Sequence, residues 1–415
     1  MQFVADFHLH SKFSRATSRD MDLENLEKWA KIKGIKVLGT GDFTHPEWFG
    51  NLKENLAPAE PGLFKLKKSD SGIRFILTSE ISCIYSKNGG TRKVHVIIFS
   101  PSFEVCEKIN VHLGWIGNLK ADGRPILGLD AKELAKIVLG VSDDCLVVPA
   151  HVWTPWFSVF GSRSGFDSLE ECFDEYTKYI FAIETGLSSD PKMNWRLSAL
   201  DKVALISNSD SHSPQKIGRE ANVFNVEISY YGIVDAIKTK NPAKFLYTIE
   251  FFPEEGKYHL DGHRLCDIRL SPQESKRYNN ICPVCGKPLT IGVLNRVEQL
   301  ADRPGGVVPK GAIPFKNVIP LGEIIGDALG VLPGARRVKE EYDRLLVKFG
   351  SEFEILMNAS YQDLKEATLP EIAEGLIMAR EGKIAVDPGY DGVYGKIKIF
   401  SGSDKKEASK QKTLF

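Results

Sequence analysis

An excess of charge of either sign is what this sequence most plainly lacks. Its 415 residues carry 54 lysines and arginines against 54 aspartates and glutamates. Bulk charge therefore predicts no polyanionic partner, although a locally basic surface is enough to hold a nucleic acid. Cysteine is scarce too: seven, an odd number scattered over a long chain, do not build a disulfide framework. No apolar run approaches the length of a membrane span, and the first residues show no basic segment followed by an apolar secretory core. The expectation is a soluble, cytoplasmic protein of two or three domains with length enough for a large core.

Histidine is the residue that stands out. The chain opens on "MQFVADFHLHSKFS", a strand-like run (Phe3, Val4, Phe7) that ends in His8-Leu9-His10. Residues i and i+2 of a strand share a face, so the two imidazoles converge, an arrangement suited to a divalent metal. The pattern then repeats to about residue 240 as strand, ligand-type residue, helix. "IKVLGTGD" delivers Asp42 and then His45, "RFILTSE" ends at Glu80, and "KVHVIIFS" carries His95. "CLVVPAH" ends in His151, "YIFAIET" brings Glu184, and "VALISNSDSH" ends in Asp210 and His212. Helices are expected from Leu23 to a stop at Gly34, over roughly 103–118 and 130–139, and after a Ser229 cap. Six of the nine histidines thus gather where strands end. In a barrel of parallel strands these ends form one rim, where active sites sit.

These motifs carry a resemblance. "DFHLHS", "GTGDFTH", "SEI", "VHVI", "PAHVW" and "SNSDSH" match, in order and in kind, those of the polymerase-and-histidinol-phosphatase (PHP) superfamily. The resemblance covers residues 1–240 and implies an α/β fold: a distorted, TIM-like (β/α)7 barrel that holds two or three divalent ions and acts on phosphoesters. By the same resemblance His8, His10, Glu80 and Asp210 surround one metal and form the catalytic set. Glu80, His95 and His151 hold a second, with Glu80 as bridge, while Asp42 or His45 with His212 belong to a third position. The family often has Asp or His five residues after the second histidine, where this chain has Arg15. A cation there disfavours a third metal, so two ions are expected. Nitrogen-rich ligands suit zinc or manganese better than magnesium. Asp210 is also a candidate to orient the attacking water, and Arg15 to steady a phosphate. The segment after His151 interleaves Trp153, Trp156, Phe157, Phe160 and Phe166 with Arg163. It reads either as a cover for the barrel or as a loop whose rings stack on a base.

A second unit spans 251–295. His263-x-x-Cys266, fifteen residues, then Cys282-x-x-Cys285 with Gly286 behind it is the spacing of a closed tetrahedral site, hence one structural zinc. Residues 296–399 read as mainly helical, with "GYDGVYGKIKIF" as a last strand-like run. The polar tail 400–415 closes on Gln411, Leu414 and Phe415. That spacing resembles the start of the sliding-clamp (PCNA) binding box found at the ends of archaeal replication and repair proteins.

Together these features resemble the endonuclease Q family of the superfamily. The resemblance implies DNA repair: nicking on the 5′ side of hypoxanthine, uracil, xanthine and abasic sites, leaving 3′-hydroxyl and 5′-phosphate ends. One alternative is a PHP phosphomonoesterase for a small molecule, for which the zinc unit and tail are superfluous. Another is a non-catalytic scaffold in a repair complex, against which the near-complete ligand set argues.

Overall fold

The computed structural model describes residues 1–400, so the clamp-like residues Gln411, Leu414 and Phe415 lie outside the described residues. Nine strands carry the site: β1 (Gln2–Asp6), β2 (Ile35–Gly39), β3 (Arg74–Lys87), β4 (Gly90–Ser100), β5 (Leu146–Pro149), β6 (Ala182–Glu184), β7 (Ala204–Ile206), β8 (Ala221–Asn225) and β9 (Phe245–Glu250). β1, β2 and β3 run parallel, β3 and β4 form a long antiparallel hairpin, and β5 is antiparallel to β4. β8 lies antiparallel between β1 and β9. All but β6 and β7 belong to one eleven-stranded sheet, while β6 and β7 pair in parallel as a sheet of two.

The fold is thus mixed α/β around a large central sheet, and the expected run of parallel strands needs correcting. Glu80 and His95 do not end parallel strands; they lie inside the β3–β4 hairpin, where Ser82 faces His95 and Glu80 faces Ile97. The hairpin turns at Asn88-Gly89, both at positive φ (54° and 75°), the signature of a two-residue turn. Among the described residues, ladder hydrogen bonds do not join β6–β7 to the larger sheet.

Every one of the nine strands nevertheless contributes to a single apolar cluster. Phe3, Val37, Ile76, Phe99, Val148, Ile206, Phe224 and Phe245 meet there with Ala5, Ala182 and Ala204, whose small side chains leave room for the rings. The opposite faces (Leu38, Phe75, Val96, Val147, Ile183, Leu205) pack against helices, as strands buried on both sides must. Helix Leu23–Lys33 starts on Asp22, whose carboxylate accepts from Asn25 N, and stops at Gly34 as expected. Gly34 sits at φ 87°, and a β-carbon there would meet Ser351 Oγ at 2.7 Å. Glycine is needed for the turn and for the close approach of the C-terminal helices. The helices expected over 103–118 and 130–139 run Phe103–Gly114 and Ala131–Val141.

Beyond β9, the hairpin Asp261–His263/Ile268–Leu270 and a short capped helix (Pro272–Arg277) carry the cysteine unit. Helices Leu321–Leu329, Arg336–Phe349, Glu352–Met357, Tyr361–Ala367 and Pro370–Arg380 close round their own core of Ile324, Val338, Leu345, Ile355, Leu364, Ile372 and Leu376. Of the last strand-like run, Lys396–Lys398 forms a short strand, paired antiparallel with Ala385–Asp387, which precedes the run. No helix among the described residues is long and apolar enough to cross a membrane.

Candidate metal centre and cleft

β1 ends at Asp6, and His8 and His10 follow in an extended segment that Leu9 ties to Ser211 through a parallel bridge. Each ring is gripped through Nδ1 by a buried carboxylate. Glu184 holds His8 at 3.0 Å and Asp42 holds His10 at 3.2 Å. The Nε2 atoms therefore face the same space. His10 Nε2 lies 3.0 Å from Asp210 Oδ1 and 3.3 Å from Glu80 Oε2. His8 Nε2, buried and without a hydrogen-bond partner, stands 3.5 Å from Glu80 Oε2 and 3.7 Å from Asp210 Oδ1.

A second group shares Glu80. Its Oε1 is 2.8 Å from His95 Nδ1 and 3.1 Å from His151 Nε2, and those two ring nitrogens are 3.2 Å apart. The far nitrogens are steadied by hydroxyls: His95 Nε2 by Ser82 at 3.1 Å and His151 Nδ1 by Thr154 at 3.3 Å. Glu80 thus turns one oxygen to each group. Backbone strain gathers here as well, with Asp42, His151 and Asp210 all at positive φ (49°, 28° and 46°), an arrangement that only a well-determined surrounding sustains.

The electrostatics ask for positive charge. Burial pushes the His8 and His10 imidazoles down, but the surrounding carboxylates overcome it and hold both well above their usual range. Glu80 and Asp210 are held below the carboxylate range, against burial, by the imidazoles and by Arg124 beside Glu80. Burial drives His95 down to about 4, against the pull of Glu80. Converging ring nitrogens, one of them orphaned, with carboxylates between them and oriented far sides, make a donor set that fits divalent cations.

The remaining sequence candidates divide. Asp42 is not free to ligate: besides His10 it accepts from Ser11 N, Ser11 Oγ and Ser14 Oγ. His45 stacks on Phe13 at 4.5 Å as it begins helix Pro46–Asn55, and His212 turns Nδ1 to the Asp210 carbonyl at 3.0 Å. Among the described residues these three do not form a third ligand group. Arg15 is exposed and pairs with Asp122 at 3.2 Å. Trp153 is core rather than stacking surface: it is 1% exposed, packs on Phe160 and donates to Asn194 Oδ1 at 2.8 Å. Phe166 is likewise buried. Trp156 and Phe157 do reach a cleft of about 1470 Å³, which His95, His151, Arg219 and Tyr258 also line, whereas Arg163 is exposed in the same loop. Trp156 meets Tyr258 edge-on at 5.4 Å.

The cysteine unit assembles. Ligand atoms of His263, Cys266, Cys282 and Cys285 all lie within 4.8 Å of one another. Amides of Cys285 and Val284 point at the Cys282 sulfur and hold its thiol below the usual value against the cost of desolvation. Gly286, at φ 71°, makes the turn that permits this. Four donors so placed are enough to fill a tetrahedral metal site.

Sequence reasoning missed three contributors. Glu184 was visible at a strand end, but its role came only with the structure: it also accepts from His151 N at 2.8 Å and Asn208 Nδ2 at 2.9 Å. Asp6 accepts from Ser209 N and Gly218 N, fixing the segment that carries Asp210. Arg124 comes from a loop without periodicity, and no sequence signal could have singled it out.

The crystal structure of the lesion-specific endonuclease PfuEndoQ from Pyrococcus furiosus superposes on this chain with a TM-score of 0.86 at 31% identity, covering 98% of this chain and 99% of that one. The chain belongs to the endonuclease Q family. An endonuclease Q complexed with a 27-mer duplex carrying an abasic lesion at its active site matches with a TM-score of 0.84 and 31% identity over 97% of each chain. Endonuclease Q proteins are nucleases, hydrolases acting on DNA. The MJ0043 protein of Methanocaldococcus jannaschii is 34% identical over 309 residues. That match covers 70% of this chain and 37% of the relative, so the chain spans well under half of that protein's length. The model of the MJ0043 C-terminal domain family matches residues 320–383, within the helical part of this endonuclease Q chain.

Proposed function

We propose that this protein is a metal-dependent DNA repair endonuclease that hydrolyses the phosphodiester 5′ to hypoxanthine, uracil, xanthine and abasic sites, leaving 3′-hydroxyl and 5′-phosphate ends. The observation that carries the reading is the pair of ligand groups joined by Glu80 at the edge of an aromatic-walled cleft. Family membership supports DNA as the substrate class, and the duplex bound by a relative supports a double-stranded form of it.

His8, His10, Glu80 and Asp210 would hold one divalent ion and Glu80, His95 and His151 another; when bound, such a pair neutralises phosphoryl charge and activates water near neutral pH. Glu184 and Asp42 keep the ligand rings turned so that Nε2 faces inward. Asp210, with 25% of its side chain exposed against 1% or less for Glu80, Asp42 and Glu184, is the carboxylate open enough to orient the incoming water. Trp156, Phe157 and Tyr258 offer faces for a base lifted from the stack, a step that costs least at a mispaired or damaged base. We further take the two sheets as walls of one distorted seven-stranded PHP barrel (1–250), followed by the zinc unit (251–295) and the helical part (296–399). The terminal Gln411, Leu414 and Phe415 would dock on the sliding clamp, and the cell compartment would be the cytoplasm, at the nucleoid.

The test is nicking of an end-labelled duplex holding one hypoxanthine, with manganese or zinc, against the undamaged duplex and Asp210→Asn. A single cut 5′ to the lesion, lost in the variant, is expected. Hydrolysis of small phosphomonoesters with no cut in any DNA would overturn the reading.

A further inference from the structure

We propose that Arg124 is a catalytic residue whose guanidinium binds a non-bridging oxygen of the scissile phosphodiester. The proposal rests on the phosphodiesterase reading above, and assigns to Arg124 the phosphate contact that the sequence suggested for Arg15.

The loop that carries Arg124 is pinned on both sides of the residue. Gly123 N donates to Phe13 O at 3.0 Å, Arg124 N to Asp122 Oδ1 at 3.1 Å, and Ser82 N to Pro125 O at 3.0 Å. Gly123 is pressed so close that a β-carbon would stand 2.2 Å from Asp42 Oδ2 and 2.3 Å from Ser14 Oγ. The backbone under Arg124 is thereby locked to β3 and to the carboxylate that orients His10. Asp122 also takes the Arg15 side chain, so one carboxylate anchors the loop and occupies the rival arginine.

From this base the guanidinium reaches inward. Arg124 Nη1 is 3.1 Å from Glu80 Oε2, the oxygen that faces His8 and His10, and the side chain lines the cleft beside His95 and His151. Among the described residues no other lysine or arginine pairs with Glu80 or Asp210. Were both ligand groups to hold cations, Glu80 would be engaged by them, and Arg124 would stand as a permanent positive charge beside further positive charge. An arginine does not shed its proton to escape this; it needs an anion, and its planar fork matches two phosphate oxygens. The anion that reaches this spot from the cleft is the phosphodiester under attack.

In the reaction, water oxygen bonds to phosphorus and the P–O3′ bond breaks. One water proton leaves for a base and the departing O3′ takes up a proton to become the hydroxyl. Arg124 neither gives nor takes a proton in this balance. It neutralises charge on the non-bridging oxygens as the fifth bond forms.

The experiment uses full-length Arg124→Ala and Arg124→Lys proteins loaded with manganese and checked for a native melting transition. Four quantities are read: metal content, binding of inorganic phosphate by calorimetry, single-turnover cleavage of lesion DNA, and rescue by added guanidinium ion. Arg124→Ala should keep its metals, lose phosphate affinity at least tenfold, and lose cleavage about 10²–10³-fold, as for removal of one transition-state donor. Millimolar guanidinium should restore at least tenfold of that loss, and Arg124→Lys should fall between. If Arg124→Ala instead loses metal and excess manganese restores full cleavage, or if phosphate affinity is unchanged, the arginine merely positions Glu80 and the proposal is overturned. If wild-type protein cuts no DNA, the DNA reading fails by itself, and the phosphate comparison still decides the arginine.

Discussion

Glu184→Gln is the perturbation that most directly tests whether the ligand rings are oriented from behind. The carboxylate receives three N–H donors, from His8 Nδ1, His151 N and Asn208 Nδ2, and gives none. Glutamine keeps the volume but offers one acceptor oxygen and an NH2 that must face at least one of those donors. The loss is one charge-assisted bond, worth about 1.5–3 kcal/mol, plus a donor set against a donor. Most of this should fall on metal binding rather than folding, because His8 can rotate only when its Nδ1 partner is lost. Outer partners of ligating histidines are worth about 10–100-fold in metal affinity, or about 1.4–2.7 kcal/mol. We therefore expect manganese and zinc affinity, measured by chelator competition, to fall by that factor at the His8/His10/Asp210 group, and less at the Glu80/His95/His151 group. Unchanged affinity at both groups, within a factor of three, would refute the argument that Glu184 sets the His8 ring.

Three further outcomes follow from the same structure. Burial pushes Glu250 up to about 8 despite hydrogen bonds from Thr248 and Thr185, so the folded state retains a proton there that the unfolded chain sheds near 4.5. Its stabilising contribution is complete below about 4.5 and drains away as pH rises to about 8; Glu250→Gln should flatten melting temperature against pH across that window, and an unaltered slope would count against it. Lys33 Nζ lies 2.7 Å from Glu352 Oε2 with both side chains nearly buried, tying the first helix to the C-terminal helices. Lys33→Met should cost roughly 2–4 kcal/mol in urea unfolding, at the lower side of the usual figure because Glu352 keeps Leu321 N and Tyr342 OH as donors; a loss below about 0.5 kcal/mol would show the pair to be idle. Cys282→Ser should remove one zinc per chain and open the 258–292 region to protease while the His8/His10/Asp210 and Glu80/His95/His151 groups still bind metal. An unchanged zinc count would refute the four-residue site.

Much of the candidate site is legible in the sequence, because its information is local. The residues of His8-Leu9-His10 are fixed by neighbours two apart, and Cys282–Cys285 with Gly286 is one turn of chain. Helix limits such as Asp22 and Gly34 are likewise set by caps a few residues long. What reads poorly is whatever depends on pairing between distant segments. The strands of Glu80 and His95 looked like successive members of a parallel series, although the Asn88-Gly89 turn was there to say otherwise. Trp153 looked available for stacking, and burial removed it. Alternation and capping tell a residue's face and limits, but not which partner covers that face.

By itself, then, the sequence determined which atoms were on offer: imidazoles and carboxylates delivered at the ends or middles of apolar strands, a cysteine knuckle, and a helical C-terminal part. Only tertiary structure decided their duties. Asp42 and Glu184, chemically able to ligate, became orienting groups because each is saturated by donors from segments tens or hundreds of residues away. Arg124 acquired its place because a loop without pattern is locked over Glu80 by Phe13, Asp122 and Ser82. A side chain's chemistry is written in its residue type, whereas its role depends on what already occupies its hydrogen-bonding capacity, and that is a property of the folded whole.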